Sequence, residues 1–367
     1  MIYHIYWGTS GTSGLYLDEI FQALHKLGFK QEVFVSHYYP FPYGQKIFFK
    51  YSDVGHSRYK GKTRRLIQFL EICRAFIMII VFAAFQKPTI INYSHIGKSY
   101  YFIYLFLLAL KFVSGSKIII TCHDVMPHSY EGNKMSIRKK IFKIGDFLIV
   151  HNNSSVETLE KLFDIEGQKI LMHRFPIMDL KKMNSSSENT LTLEKNIDFL
   201  FIGHLRKDKG IELLLETWSI FHEIEPNANL YVCGQKLNGV CFDENKLSKL
   251  NVHFNLKFIN DKEFSEYILR ARTVVLPYYS GTNSGIISTV LSLNANVLTS
   301  NIPMFEENEL VCNEDMFISE DKDSLIELLI RKYHQKENSL SRLDDYRENF
   351  NNEVKKVYNI IQHNSKD

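Results

Sequence analysis

Three stretches of the chain carry residue types that can act on a phosphorylated or hydroxylated substrate. The first is FIGHLRKDKG, residues 201–210. A strand-like apolar run ends at Gly203, basic residues fill the turn, and a helical pattern follows. Arg206 and Lys209 then stand three apart at a helix N-terminus. Two cations beside unpaired backbone N–H groups make an anion site, most naturally for a diphosphate. A solvated basic turn is the plain alternative. The second stretch is VVLPYYSGTNSGIISTVLSL, residues 274–293. A buried strand exits through Pro277 into a Gly/Ser/Thr loop in which Thr282 or Asn283 can cap the next helix. Ser284 and Gly285 would add free N–H groups there, and Gly285 would let a ligand approach the backbone closely. An ordinary strand-to-helix loop has the same composition. The third is TCHDVMPH, residues 121–128, where the strand KIIIT leads into His123. A His at the carboxyl end of a central strand can hydrogen-bond a hydroxyl or a phosphate, although a structural His looks the same. The His-Asp pair has no third ligand at plausible spacing, so metal catalysis is disfavoured.

These stretches need a scaffold, and the apolar pattern supplies one. Residues 2–7 form an apolar run, residues 8–14 a Gly-rich loop, residues 15–27 a helical pattern and residues 31–35 a short strand. Strand, loop, helix and strand make a βαβ unit. The glycines of the loop are three apart and match G-x-G-x-x-G only loosely. No acidic residue ends the second strand, so a nicotinamide dinucleotide site is disfavoured. The alternation continues with helices at 63–85 and 99–113 and strands at 89–92, 117–121 and 147–150. Residues 184–196 (NSSSENTLTLEKN) are polar and aperiodic, which predicts a linker. Beyond it the pattern restarts, with strands at 197–202, 230–233, 252–254, 273–276 and 296–299 and helices at 209–224 and 283–293. Helices at about 321–333 and 340–362 end the chain. The fold class is therefore α/β, with two doubly wound parallel-sheet domains facing across a cleft. The boundaries drawn are 1–183, 184–339, and a last helix at 340–367 that packs back on the N-terminal domain.

Composition narrows the class further. At roughly 150 residues per domain, 367 residues suggest two. Hydrophobic residues at 45% and charged residues at 23% exclude a disordered, collagenous or coiled-coil chain. With 44 Lys+Arg against 41 Asp+Glu the charge is too balanced for a dedicated nucleic-acid binder. The five cysteines contain no C-x-x-C pair, which reads as a reduced, cytoplasmic protein. The first residues, MIYHIYWGTSG, show no basic segment or cleavage site of a secretory signal.

FIGHLRKDKGIELLLETW, LYVCGQ and VVLPYYSGTNSGIISTVLSLNANVLTSNIP, with SGTSGLYLDEIFQALHKLG and KIIITCHDVMPH, give the whole chain a resemblance to a known family. It resembles the glycosyltransferases of family 4, which have the GT-B fold of two Rossmann-like domains. It looks most like the bacterial branch that builds surface polysaccharides, with G-H-(I/L)-R…K-G and T-x-S-G motifs. The resemblance implies a retaining, metal-independent transfer from a nucleotide-sugar, with no cofactor. Arg206 and Lys209 would hold the donor diphosphate and stabilise the leaving group. His123 would contact the donor sugar. Gly11 and Thr12 would lie beside the diphosphate, and Gly203 and Gly234 would belong to the donor site. Thr282, Asn283, Ser284 and Gly285 would meet the sugar and phosphates. One departure stands out. The family carries two Glu eight residues apart around this loop, where this chain has Thr282 and Val290. A Val accepts no hydrogen bond from a ribose.

The expected activity is extension of a lipid-linked (undecaprenyl diphosphate) saccharide for O-antigen or capsule. The alternatives are a nucleotide-sugar epimerase and a degenerate sugar-nucleotide-binding subunit. Residues 75–85 and 100–110 are each about half the roughly 20 apolar residues a span needs, so both read as buried helices, with an interfacial role for one face as the alternative. Just before the first lies HSRYKGKTRR, with Arg58, Lys60, Lys62, Arg64 and Arg65. Five cations there would hold the chain peripherally on the anionic inner face of the plasma membrane. A loop whose charge serves only solubility is the alternative.

Overall fold

The run IYHI forms strand β1 (Ile2–Ile5), and all four residues are buried. It pairs in parallel with β2 (Gln31–Ser36) and with β4 (Ile90–Tyr93). A strand with neighbours on both edges and helices over both faces has no wet side, which is why its apolar residues run on without alternation. The computed structural model describes residues 1–8, 12–39, 43–53, 56–94, 99–126, 132–178, 193–237, 239–281, 285–293, 295–335 and 343–363. The chain divides into two units, Met1–Pro176 with Glu348–Asp367, and Ile177–Arg347.

The first unit adds strands β3 (Gln45–Phe48), β5 (Lys117–Thr121), β6 (Phe147–Val150) and β7 (Ile170–Met172). The seven strands are ordered β3-β2-β1-β4-β5-β6-β7, with all pairings parallel. Its helices are α1 (Thr12–Lys26), α2 (Gly61–Gln86), α3 (Tyr100–Ser114), α4 (Gly132–Ile144) and α5 (Asn153–Phe163). The second unit holds β8 (Ile197–Ile202), α6 (Ile211–Ile224), β9 (Leu230–Cys233), α7 (Glu244–Ser248), β10 (Val252–Asn255), α8 (Asp261–Arg270), β11 (Ala271–Leu276), α9 (Gly285–Ser292), β12 (Asn296–Ser300), α10 (Pro303–Glu306), β13 (Met316–Phe317) and α11 (Lys322–His334). Its sheet is ordered β10-β9-β8-β11-β12-β13, again parallel. In both sheets the chain winds outward to one edge, returns to the middle, and winds outward to the other. The order reverses between β1 and β4 and between β8 and β11, and ligands of such sheets bind at that switch point.

Each unit has its own core. In the second, Phe199 and Phe221 flank the fully buried Trp218, whose Nε1–H donates to the Leu250 carbonyl at 2.8 Å. In the first, Phe76 of α2 stacks on Phe106 of α3 at 3.7 Å and meets Trp7 at 5.3 Å. The last helix, α12 (Leu343–His363), lies partly in this unit. Phe350, Val354, Val357, Tyr358 and Ile361 form a buried stripe at helical spacing. Asn92 donates to the Tyr358 hydroxyl at 3.2 Å, and Arg174 pairs with Glu353 at 2.8 Å. Ile360, beside this stripe, is only half-buried.

One sequence expectation changes here. The apolar residues 75–85 and 100–110 are not simply buried. Their inner faces are in the core, but Ile77, Val81 and Phe85 of α2 and Tyr101, Phe102, Leu105, Leu108 and Phe112 of α3 are exposed. Glu71 and Arg74 both lie within the helix expected at 63–85. Glu71 is buried inside α2 and accepts from the Tyr51 N–H at 2.9 Å and the Ser52 hydroxyl at 2.5 Å. Arg74 donates to the Ile47 carbonyl at 2.9 Å. Charges that bond to the neighbouring strand and loop fasten the helix, and α2 runs for 26 residues.

Candidate functional site

In the second unit the two stretches singled out for phosphate chemistry leave adjacent strands. The 203–210 turn follows β8 and residues 277–281 follow β11, so both lie at the carboxyl ends that flank the switch point. Backbone bonds tie the loops together: the Tyr279 N–H donates to the Asp208 carbonyl at 2.9 Å, and the Leu205 N–H to the Gln235 carbonyl at 3.0 Å. Two glycines make this closeness possible. Gly234 has φ +142, and a Cβ there would fall 1.8 Å from the Gly203 carbonyl oxygen. Gly210 has φ +63, and a Cβ there would fall 1.7 Å from the Pro277 carbonyl oxygen. No L side chain fits either place. Glycines at both positions are therefore what lets three loops meet.

The turn itself is a short 3-10 helix, Lys207–Lys209, between Arg206 in extended conformation and Gly210 in the left-handed region. Arg206 Nη2 pairs with Asp208 Oδ2 at 2.5 Å, so the guanidinium is held in one orientation. Lys209 Nζ lies 3.5 Å from the ring centroid of Tyr278, a cation–π contact that pins the ammonium over the loop after β11. The helix α6 begins directly after Gly210, at Ile211. Thus Gly203, Arg206, Lys209 and Gly234 are brought together. Gly285 is the first residue of α9, with its carbonyl accepting from the Ser288 and Thr289 hydroxyls at 3.0 Å each. Thr282, Asn283 and Ser284 lie outside the described residues. Val290 is fully buried in α9, which suits a core position and offers no polar group.

In the first unit His123 follows β5, His151 follows β6 and His173 follows β7, so three adjacent strands each end in an imidazole. Tyr16 of α1 sits among them, with ring centroids 4.6 Å from His123, 5.1 Å from His151 and 5.9 Å from His173. His123 also lies nearly parallel to His151 at 5.5 Å. The Arg174 carbonyl, 2.8 Å from His173 Nδ1, puts the proton on that nitrogen. Nε2 of His173 is then free to accept from the Tyr16 hydroxyl at 3.0 Å. His151 Nδ1 likewise faces the His173 carbonyl at 3.1 Å. Burial pushes His173 down to about 4 and His151 well below the usual imidazole range. Both are neutral and serve as the wall behind His123, which is itself only partly buried. The wall was not anticipated, although its signal is present in the sequence: a His within two residues of the end of three strands in succession. Of the remaining candidates here, Gly11 lies outside the described residues. Thr12 is the first residue of α1, and its side chain is not described.

Among the described residues no cluster of three His, Cys, Asp or Glu has the geometry of a metal site. Of the five basic candidates before and within α2, Arg58, Lys60, Lys62 and Arg65 are exposed. Arg64 is half-buried and donates to the Ser52 carbonyl at 3.0 Å, so part of its charge serves the fold.

A switch point in each of two parallel sheets, with a Gly-rich cationic turn at one of them, defines a two-domain Rossmann-like architecture suited to a phosphorylated ligand. Residues 183–356 match the family of glycosyl transferases group 1. Solved structures with the GT-B fold match the chain over nearly its whole length. Anabaena HepE in complex with UDP-glucose is 10% identical, with a TM-score of 0.62, over 99% of this chain and 98% of that one. WaaG, a glycosyltransferase involved in lipopolysaccharide biosynthesis, is 12% identical, with a TM-score of 0.57, over 98% of this chain and 99% of that one. A putative UDP-N-acetylglucosamine 2-epimerase from Listeria monocytogenes is 13% identical, with a TM-score of 0.61, over 100% of this chain and 97% of that one. No curated protein matches the chain in sequence. The protein has the GT-B fold, and with the group 1 glycosyltransferase match over residues 183–356 the chain is a glycosyltransferase.

Proposed function

We propose that this enzyme belongs to the retaining family 4 branch that builds bacterial surface polysaccharides. It moves a sugar from a nucleotide-sugar to a lipid-linked saccharide, such as one on undecaprenyl diphosphate, in O-antigen or capsule synthesis. The observation that carries the reading is the Arg206–Lys209 turn at the switch point of a group 1 domain, with both cations held by neighbours. As the bond between the anomeric carbon and the diphosphate oxygen breaks, negative charge grows on the leaving group. Fixed cations stabilise that charge without reorganising, which lowers the barrier. The acceptor hydroxyl oxygen forms the new bond to the same carbon, on the face the diphosphate left, and its proton goes to the departing phosphate. No metal or cofactor is needed for this division of labour.

Within this reading Gly203, Gly234 and Gly285 let the donor approach the backbone, and Gly11, Thr12, Thr282, Asn283 and Ser284 complete its contacts. His123 meets the sugar hydroxyls, backed by the neutral wall of Tyr16, His151 and His173. With Val290 in the core, the ribose is held by groups other than the family's second Glu. Neighbours solved with UDP and with UDP-glucose support a nucleotide-sugar as the donor. The basic tract at 58–65 supports work at the cytoplasmic face of the plasma membrane, where the lipid-linked acceptor sits in an anionic leaflet. An epimerase shares the fold, so the fold does not decide between the two reactions; the domain match at 183–356 favours transfer. A thermal-shift screen of UDP-, GDP- and other nucleotide-sugars tests the donor site. One or more should stabilise the native chain and not the Arg206→Ala variant. Equal shifts in both would remove Arg206 from the donor site.

A further inference from the structure

Helices α2 and α3 carry an apolar surface that the fold leaves uncovered. On α2, Leu66, Leu70, Ile77 and Val81 are exposed. They recur at i, i+4, i+11 and i+15, which at 3.6 residues per turn is one line along the helix. On α3, Tyr101, Leu105, Leu108 and Phe112 are exposed at i, i+4, i+7 and i+11, again one line. The two helices pack side by side, and Phe69 meets Phe102 edge-on at 5.2 Å on the outer surface, so the lines join into one face. Phe85 is 85% exposed and Phe112 91%, values a folded chain in water rarely leaves on two phenylalanines of one patch. At the N-terminal end of α2 the face is bordered by Arg58, Lys60, Lys62 and Arg65, all exposed.

We infer that this α2–α3 face is an interfacial membrane-insertion surface, lying in the plane of an anionic leaflet with its apolar side chains below the headgroups and its basic border among the phosphates. This extends the membrane reading given above, which rests on charge alone. Charge complementarity chooses the occupant. Neither helix exposes a carboxylate: Glu71, the one acid on them, is buried and bonded to Tyr51 and Ser52. A second copy meeting the same face would set the four cations against a surface that offers no counter-ion, whereas a phosphate layer supplies one beside a hydrocarbon phase.

The helix α2 is also long and apolar enough to cross a membrane, and only 28% of its most apolar stretch is buried. The inner face argues against crossing. Ala75, Phe76, Ile79 and Ala83 are in the core of the first unit, Phe76 is stacked on Phe106, and Arg74 holds the β3 backbone. A helix leaving to span would unmake that core and carry Glu71 with it. One face inserted and the other packed satisfies both halves of the pattern.

The test is co-sedimentation of the full chain with phosphatidylcholine vesicles with and without phosphatidylglycerol. The chain should bind the anionic vesicles and be released by alkaline carbonate. Replacing Leu70→Gln, Ile77→Gln and Leu105→Gln together should weaken binding by about 100-fold or more, because three large apolar side chains no longer leave water. Replacing the four exposed cations by Ser should weaken it strongly as well, and high salt should lower binding by the wild type. Stabilisation by nucleotide-sugars, measured without vesicles, should be unchanged in the apolar variant. That readout separates failure of the surface from failure of the donor site. A second variant confined to α3, Leu105→Gln with Phe112→Gln, keeps the test open should the α2 changes unfold the chain. Three results would overturn the inference: binding indifferent to the Gln substitutions, resistance to carbonate, or a dimer dispersed by those substitutions in a chain that ignores vesicles.

Discussion

The two units share a strand order and differ in what they put at its carboxyl edge and on its outer helices. In the second unit the edge is glycine and fixed cation: Gly210 and Gly234 let the loops touch, and Arg206 and Lys209 are each held by a neighbour. In the first unit the corresponding edge is neutral imidazole and phenol, with His151 and His173 stripped of charge by burial. The outer helices differ as well. On α6 Ile211, Leu213, Leu214, Leu215, Trp218 and Phe221 are buried and Ile220 and Ile224 are exposed near its end, whereas α2 and α3 turn whole apolar lines outward. The lesson is that winding order decides where a ligand can bind, and loop composition decides what kind. A charged ligand suits the second edge, and hydroxyl groups and a lipid phase suit the first unit.

The comparison breaks most visibly at the cations. Arg206→Ala and Lys209→Ala should each lower kcat/KM by about two to three orders of magnitude, the usual cost of losing one preorganised charge. Neither residue is in a core, so the melting temperature should hold. Near-full activity in either variant would mean the turn does not hold the diphosphate. Next in size is the loop closure that presents the cations. Gly234→Ala sets a Cβ against the Gly203 carbonyl at a φ unfavourable to L residues, and should cost about 2–4 kcal/mol in urea unfolding. A neutral result would mean that the close approach of the β8 and β9 loops has no structural weight.

The neutral edge of the first unit is sharpened by pH. Burial lowers His4 and His173 to about 4, and His151 is lowered too. An imidazole with a lowered folded pKa is protonated first in the unfolded chain. Its contribution is therefore whole above about pH 6.5 and lost as pH falls from there towards about 4. Unfolding followed by denaturant at several pH values should show this acid limb, on the order of a few kcal/mol, and His173→Gln should shrink it. A flat profile between those pH values would show that the imidazoles take up protons as readily in the folded chain as in the unfolded one. The smallest effect expected is none: transferase activity should survive excess EDTA, since charge stabilisation is assigned to Arg206 and Lys209. Full loss on chelation, restored by Mn²⁺ or Mg²⁺, would move that task to a metal.

Much of this was legible in the residues. FLIV is apolar along its whole length and KIIIT through its three isoleucines, and the strands they form match residue for residue. The FIGHLRKDKG turn was legible because a strand, a glycine, two cations and a helix follow one another within ten residues. Other elements were hidden for physical reasons. Strand β3 (QKIF) has two polar residues, because it lies at the sheet edge where one side is wet. Helix α8 begins with a capping box, Asn260 and Glu263, that carries a start signal in the sequence but is followed by a short, largely polar segment. The outward lines of α2 and α3 were not legible because hydrophobicity along a chain gives no direction. Only the packing of Phe76 and the bonding of Glu71 and Arg74 fix which face is inside. The histidine wall belongs to the same class, since three residues at 123, 151 and 173 meet only when β5, β6 and β7 lie side by side.

The central claim is that cations on the switch-point turn hold a leaving diphosphate while a sugar moves to an acceptor. The most direct measurement incubates purified chain with the stabilising nucleotide-sugar and a lipid-linked saccharide, and follows both nucleotide release and the anomeric configuration of the product by NMR. The account predicts nucleoside diphosphate released in step with a new glycoside whose anomeric configuration is that of the donor, and neither in the Arg206→Ala variant. A donor returned with its sugar epimerised, a product of inverted configuration, or turnover undiminished without Arg206 would contradict it.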